Sequence, residues 1–204
     1  MENDKEPSET ATRSYRMQAR AQSAAETGER ILDAAVQVFY EKPMDHIALD
    51  EVARRAGVSV QTVIRRYGGK EGLFTAAAER EYKRIASHRD QPEAGDVAEA
   101  LRILLDHYEE VGNGVLRMLA EEHRTIAVRE LVDQGRKYHQ MWCERVFSPV
   151  LAVLQGEERE RRLAQLFAIT DVYIWQLLRR HRGMSRSQTE LALRELLQPL
   201  IGGT

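Results

Sequence analysis

The chain has 204 residues, 43% of them hydrophobic and 30% charged, with a formal net charge of −2. That is an ordinary globular balance with enough apolar side chains for a core, and no apolar run reaches the roughly 18 residues a membrane span needs. Cys143 is the single cysteine; it excludes an intrachain disulfide and fits a reducing, cytoplasmic compartment.

The first residues, MENDKEPSET, are polar and lack the apolar stretch of a secretory leader. Residues 1–12 read as disordered, and 1–26 as an arm that is disordered or partly helical. Helical period governs the rest, and no alternating run bounded by turn residues argues for a strand. The expectation is an all-α chain. A first helix is expected over 27–42, where Ile31, Ala34, Ala35, Val38 and Phe39 form one stripe that Pro43 ends. A short helix over 49–56 follows, closed by Gly57, and Ser59 caps another over 60–67. Gly68 and Gly69 break the chain before a helix over 70–87. Asp96 and Glu99 have the spacing of a capping box for the next helix, which Gly112 and Gly114 are expected to close. A short helix holding Val115, Leu116 and Leu119 precedes a long one over 126–147, and Ser148-Pro149 kinks or restarts it. The last two helices are expected over 158–182 and 185–201, separated by Gly183. Their leucines exceed one core-facing stripe, which points to a partner surface.

Net charge does not announce a nucleic-acid partner, but its distribution is uneven. Residues 11–70 hold ten basic and seven acidic side chains, an excess of three on a chain negative overall. Inside that span lies LDEVARRAGVSVQTVIRRY, followed by Gly-Gly-Lys70. A short helix, a glycine turn and a second short helix make the support a recognition helix needs to enter a major groove about 12 Å wide. Val58 would plug the corner, and Val63 and Tyr67 would anchor the second helix. Val60, Gln61, Thr62, Ile64, Arg65 and Arg66 are left facing outward. A bare helix pair is common in any helical domain; the AxxAGVS string, the basic pair and Lys70 make this one specific.

On the residues ILDAAVQVFYEKPMDHIALDEVARRAGVSVQTVIRRYGGKEGLF, positions 31–74, the chain resembles the TetR family of bacterial transcription regulators. The resemblance implies a supporting helix over 31–40, a helix-turn-helix over 49–67 and a backbone contact from Lys70. It also implies a variable helical domain after it, ending in two helices that pair across a dimer axis. Two positions depart from the family pattern. Ile64 stands where an aromatic commonly reaches a phosphate, leaving apolar contact to a thymine methyl. Ala48 stands where a hydroxyl commonly caps and binds phosphate. The implied layout is an arm (1–26), a DNA-binding domain (27–74) and a ligand-binding and dimerisation domain (75–204).

Within the second half, Tyr108, Met118, His123, Tyr138, Trp142 and Tyr173 are the candidates for an apolar ligand pocket with polar handles; any one of them alone is also an ordinary core residue. His107 beside Tyr108 and His139 near Trp142 would set an imidazole against an aromatic wall. Phe167, Ile174, Leu178, Leu193, Leu196 and Leu197 are the candidate dimer contacts. The six histidines show no HxxxH spacing and there is no CxxC, so no metal site is expected. Neither GxGxxG nor a P-loop is present, so no enzyme and no cofactor are expected. The expected partners are a palindromic double-stranded DNA operator, a small-molecule effector and a second copy of the chain, with no membrane. The alternative is a helical adaptor of the same fold that has lost DNA binding. Arg13 to Arg20 reads either as a solvated tail or as an arm along the DNA backbone or minor groove.

Overall fold

A computed structural model describes residues 9–202, with side chains described over 17–202 except Met44. All regular structure among them is helical, in the order α1 (Glu9–Glu41), a 3-10 turn (Met44–His46), α2 (Leu49–Ala56), α3 (Val60–Tyr67), α4 (Lys70–Arg89), α5 (Val97–Ala120), α6 (Ile126–Val146), α7 (Ser148–Leu151), α8 (Gly156–Thr170), α9 (Val172–Gln176), a π-helical turn (Leu177–His181) and α10 (Arg186–Ile201). The chain divides into two compact units. The first holds the residues up to Val38 and His46–Ala77; the second holds Phe39–Asp45 and the chain from Ala78.

In the first unit, α2 and α3 stand where glycine and capping chemistry place them. α1 starts far earlier than its apolar stripe. Residues 17–26 are almost all exposed, so they carry no hydrophobic period. They are rich in Ala and Gln, which hold a helix by intrinsic preference. Gln22 donates to Glu26 one turn on (3.2 Å). Of the arm expected over 13–20, the side chains of Arg13 and Arg16 lie outside the described residues. Ile31, Ala34, Ala35 and Val38 of α1 close with Val52, Ala53, Ala56, Val63, Leu73 and Ala77 into one small core.

The second unit is larger, and its core joins α5, α6, α8, α9 and α10. Here α5 runs unbroken through Gly112 and Gly114, correcting the expected helix end. These glycines admit side chains instead of ending the helix: a Cβ on Gly112 would come within 2.7 Å of the Trp175 ring, and one on Gly114 would overlap Tyr40. The expected capping box is half made. Asp96 accepts from the Glu99 amide (3.1 Å), while the Glu99 carboxylate is held by Arg102. The single helix expected over 158–182 breaks at Asp171, whose extended backbone (ψ 152°) ends α8 and whose carboxylate caps α9 through the Tyr173 amide (2.9 Å). α10 opens on a full capping box, Ser185 with Gln188. Among the described residues no helix is long and apolar enough to cross a membrane.

Candidate nucleic-acid interface

The first unit holds α3 by three devices. Gly57 turns the chain with a left-handed backbone (φ 67°) and closes α2 through hydrogen bonds to Ala53 and Arg54. Ser59 caps α3, accepting from the Thr62 amide, and its hydroxyl also meets the Thr62 hydroxyl (2.9 Å). Val63 is fully buried, and the Tyr67 hydroxyl donates to the Gly28 carbonyl of α1 (3.2 Å). Val58 packs into the corner as expected. α2 starts without a side-chain cap, since Ala48 has no hydroxyl.

Pinned from beneath, α3 offers Gln61, Ile64, Arg65 and Arg66 to solvent. Ile64 is 39% exposed, a β-branched apolar side chain standing free on a helix whose neighbours are charged. Val60, expected outward, packs against the core from the first turn, and Thr62 is half-buried within the cap. Arg20 of α1 lines an open groove with Arg65 and Arg66, alongside Ser23, Thr27 and Thr62. Three guanidinium groups and three hydroxyls face one strip of surface, a composition suited to phosphate oxygens. Arg55 differs: it is tied to Glu51 of its own helix at 2.7 Å.

Lys70 opens α4 directly after Gly68 and Gly69, both with positive φ. Gly72 is a position the sequence did not mark. A Cβ there would overlap the Tyr67 carbonyl oxygen, so the first turn of α4 closes against the end of α3 through bare backbone.

In the second unit the candidate pocket residues separate. Tyr108, Tyr138 and Trp142 are buried, and the Arg89 guanidinium lies over the rings of Tyr138 and Trp142. The Tyr108 hydroxyl donates to the Thr170 carbonyl (2.9 Å), the Tyr138 hydroxyl to Asp90 (3.1 Å) and the Trp142 indole to the Arg89 carbonyl (3.1 Å). Burial pushes both phenols up from their ordinary range. Met118 is half-buried on α5. His123 sits in the turn after α5 with its side chain 84% exposed, and Tyr173 is half-exposed beside the α8–α9 break; neither lines the interior. His139 stacks on Trp142 (14° between planes), and His107 tilts against Tyr108. Arg89 and Thr170, which the sequence reading missed, complete the group. An arginine at a helix end reads as solvated, and no periodicity marks it otherwise.

The candidate dimer residues also separate. Leu193 and Leu197 are closed into the core of their own chain, which removes them from any partner surface. Phe167, Ile174 and Leu178 pack against that core and are partly covered. Leu196 remains outside, as do Tyr173, Leu177 and Leu191, each about half-exposed.

Comparison with known proteins joins this geometry to a family. Residues 31–77 match the model of bacterial regulatory proteins of the tetR family. The helix-turn-helix type regulator Rv2250c of Mycobacterium tuberculosis is 38% identical over 82 residues, 38% of this chain and 40% of its own length. The match thus spans less than half of that relative. A tetR-family regulator from Streptomyces coelicolor shares the fold over 85% of this chain and 81% of its own, with a TM-score of 0.66 and 21% identity. FadR of Bacillus subtilis, solved with stearoyl-CoA, does so over 86% and 98%, with a TM-score of 0.58 and 16% identity. Residues 31–77 are thus similar to the helix-turn-helix module of the tetR family, and the chain around them shares the all-helical fold of solved regulators.

Proposed function

We propose that the protein is a homodimeric, sequence-specific DNA-binding transcription regulator, a repressor released from its operator by a small-molecule effector. The observation that carries the reading is the exposed row Gln61, Ile64, Arg65 and Arg66 on a helix anchored by Val63 and Tyr67. Side chains so placed reach base edges and phosphates, while the anchors keep the helix from rotating. Gln61 and Arg65 are assigned to base reading, and Arg66, Lys70 and Arg20 to the backbone; Thr62 and Val60 support the first turn. Ile64 supplies apolar contact, as to a thymine methyl.

We assign DNA reading to residues 27–74 and the binding of effector and partner to residues 75–204. One eight-residue helix reads too few bases for a specific site. A two-fold dimer presents two, which must stand about 34–36 Å apart to enter successive major grooves of a palindrome. The exposed apolar residues Tyr173, Leu177, Leu191 and Leu196 are the contacts proposed for that assembly. An effector preferring a different spacing lowers DNA affinity by its differential affinity for the two states.

A gel shift of the full chain on DNA upstream of its own gene, with a selection from random duplexes beside it, tests the reading. A shifted band and an inverted-repeat motif are expected. No binding to either pool overturns it in favour of an adaptor of the same fold.

A further inference from the structure

The second unit carries a buried cation with no opposite charge. Arg89, the last residue of α4, is 4% exposed. The carboxylate nearest in sequence, Asp90, is engaged by Arg145 (3.3 Å) and Tyr138 (3.1 Å). No ion pair to Arg89 is formed among the described residues. One guanidinium nitrogen, Nη2, donates to His139 Nδ1 at 3.0 Å, and Nε is buried with no acceptor.

A lone buried charge is costly, and three features offset part of that cost. The cation sits at a helix C-terminus, where carbonyl dipoles favour it. Its guanidinium carbon lies 4.6 Å from the Trp142 ring centre and 5.2 Å from that of Tyr138. His139 supplies one acceptor. None of these is an anion. The two imidazoles do not add charge: burial, and secondly Arg89 itself, push His107 and His139 down to about 3. His139 is also fixed in one tautomer. Nδ1 accepts from Arg89, so Nε2 carries the proton and faces the Thr170 hydroxyl (3.2 Å), which donates onward to the Leu166 carbonyl (2.8 Å).

We propose that the second unit binds an effector bearing a carboxylate on an apolar body, the carboxylate pairing with Arg89 and the body lying among the aromatic side chains around it. This rests on the reading of that unit as the effector-binding half. A carboxylate supplies what the interior lacks: one negative charge, and two oxygens matched to the Nε–Nη2 edge of a guanidinium. It replaces the weaker His139 acceptor. A cationic effector is repelled by the same group, and a neutral one can offer Nε an acceptor but no opposite charge.

The test uses the full-length chain without DNA. Monocarboxylates from benzoate to dodecanoate are titrated against alcohols of the same body, read by tryptophan fluorescence and by thermal midpoint. At least one carboxylate should bind about tenfold or more tighter than its alcohol, the size of a charge-assisted hydrogen bond. In Arg89→Met the ratio should fall to near one with alcohol affinity kept. His139→Phe, which removes the competing acceptor, should raise the ratio, and it keeps the test open should Arg89→Met not fold. If the wild type binds no carboxylate, or binds acid and alcohol alike, or Arg89→Met keeps the preference, the proposal is overturned. A gel shift with the bound carboxylate added reads release separately: binding without release leaves Arg89 as its site and overturns the release mechanism instead.

Discussion

The two units handle polar groups in opposite ways. In the first, the core is small and wholly apolar, and the side chains assigned to DNA stand on its outside. In the second, Arg89, His107, His139 and Thr170 lie inside, each nine-tenths or more covered. A surface that meets a polyanion keeps its charges hydrated until contact. A site that discriminates small molecules must exclude water, so its polar groups are held in place beforehand. On the proposed assignments, exposure marks function in one unit and burial marks it in the other.

The sharpest way to break that contrast is to put a charge on each side of α10. Leu193→Asp buries an unpaired carboxylate in the core and should cost several kcal/mol, enough to lose the cooperative transition. Leu196→Asp, three residues on and 48% exposed, should leave the fold and split the dimer. Circular dichroism with sedimentation velocity checks both. If Leu196→Asp sediments as the wild type does, the exposed apolar face is not the assembly surface.

Acid should act on the second unit before the first. His107 and His139 have folded values near 3, below the roughly 6.5 of an unfolded histidine. The unfolded chain then binds more protons between those values, so stability is fully present above pH 6.5 and falls as pH drops toward 3. The slope is about 1.4 kcal/mol per pH unit for each histidine. Urea unfolding at pH 7 and pH 5, compared with a His107→Gln, His139→Gln double variant, reads the difference. The variant should be less sensitive over that interval; equal sensitivity removes the histidines from the account.

Glycines sharpen the contrast at a smaller scale. In an exposed helix, Gly→Ala gains about 1 kcal/mol. Gly135 of α6 has open space around its Cβ position, and Gly135→Ala should show that gain. Gly114→Ala meets the Tyr40 ring and should lose roughly 1–3 kcal/mol instead, because the packed ring must move. Opposite signs in denaturant midpoints are the expected result.

The smallest effect belongs to the outer surface. Lys70→Ala should weaken DNA binding evenly across sequences and reduce the salt slope by about 0.9 per lost phosphate contact, or roughly 2 per dimer. An unchanged slope removes Lys70 from the backbone contacts.

The helix ends of the first unit's helix-turn-helix were legible in the sequence almost residue by residue, though Val60 and Thr62 were expected to face outward. Gly57, Ser59 and Gly68 are local signals whose chemistry sets helix ends within a residue, and α2 and α3 begin and end where they were expected. The second unit was legible as helices but not as a site. Gly112 and Gly114 carry the same symbol as Gly57, and only the rings of Trp175 and Tyr40 reveal that they serve close packing. Leu193 and Leu196 look alike in sequence; three residues along a helix leave the side chains about 60° apart, enough at the edge of the stripe to exchange core for partial exposure. The early part of α1 escaped because intrinsic preference leaves no stripe. Arg89 escaped because its environment is assembled from residues some 50 positions away, on α6.

Cys143 touches this same interior, 3.5 Å from the Thr170 hydroxyl and 4.0 Å from His139. Burial pushes its thiol up to about 11, so the closed chain offers an alkylating reagent almost no thiolate. Because the sequence contains no other cysteine, the rate of alkylation is a clock for one event, the opening of the second unit. With reagent scarce relative to reclosing, that rate measures the free energy of opening, and with reagent in excess it measures how fast the unit opens. The chain carries its own label for timing how its interior admits a guest.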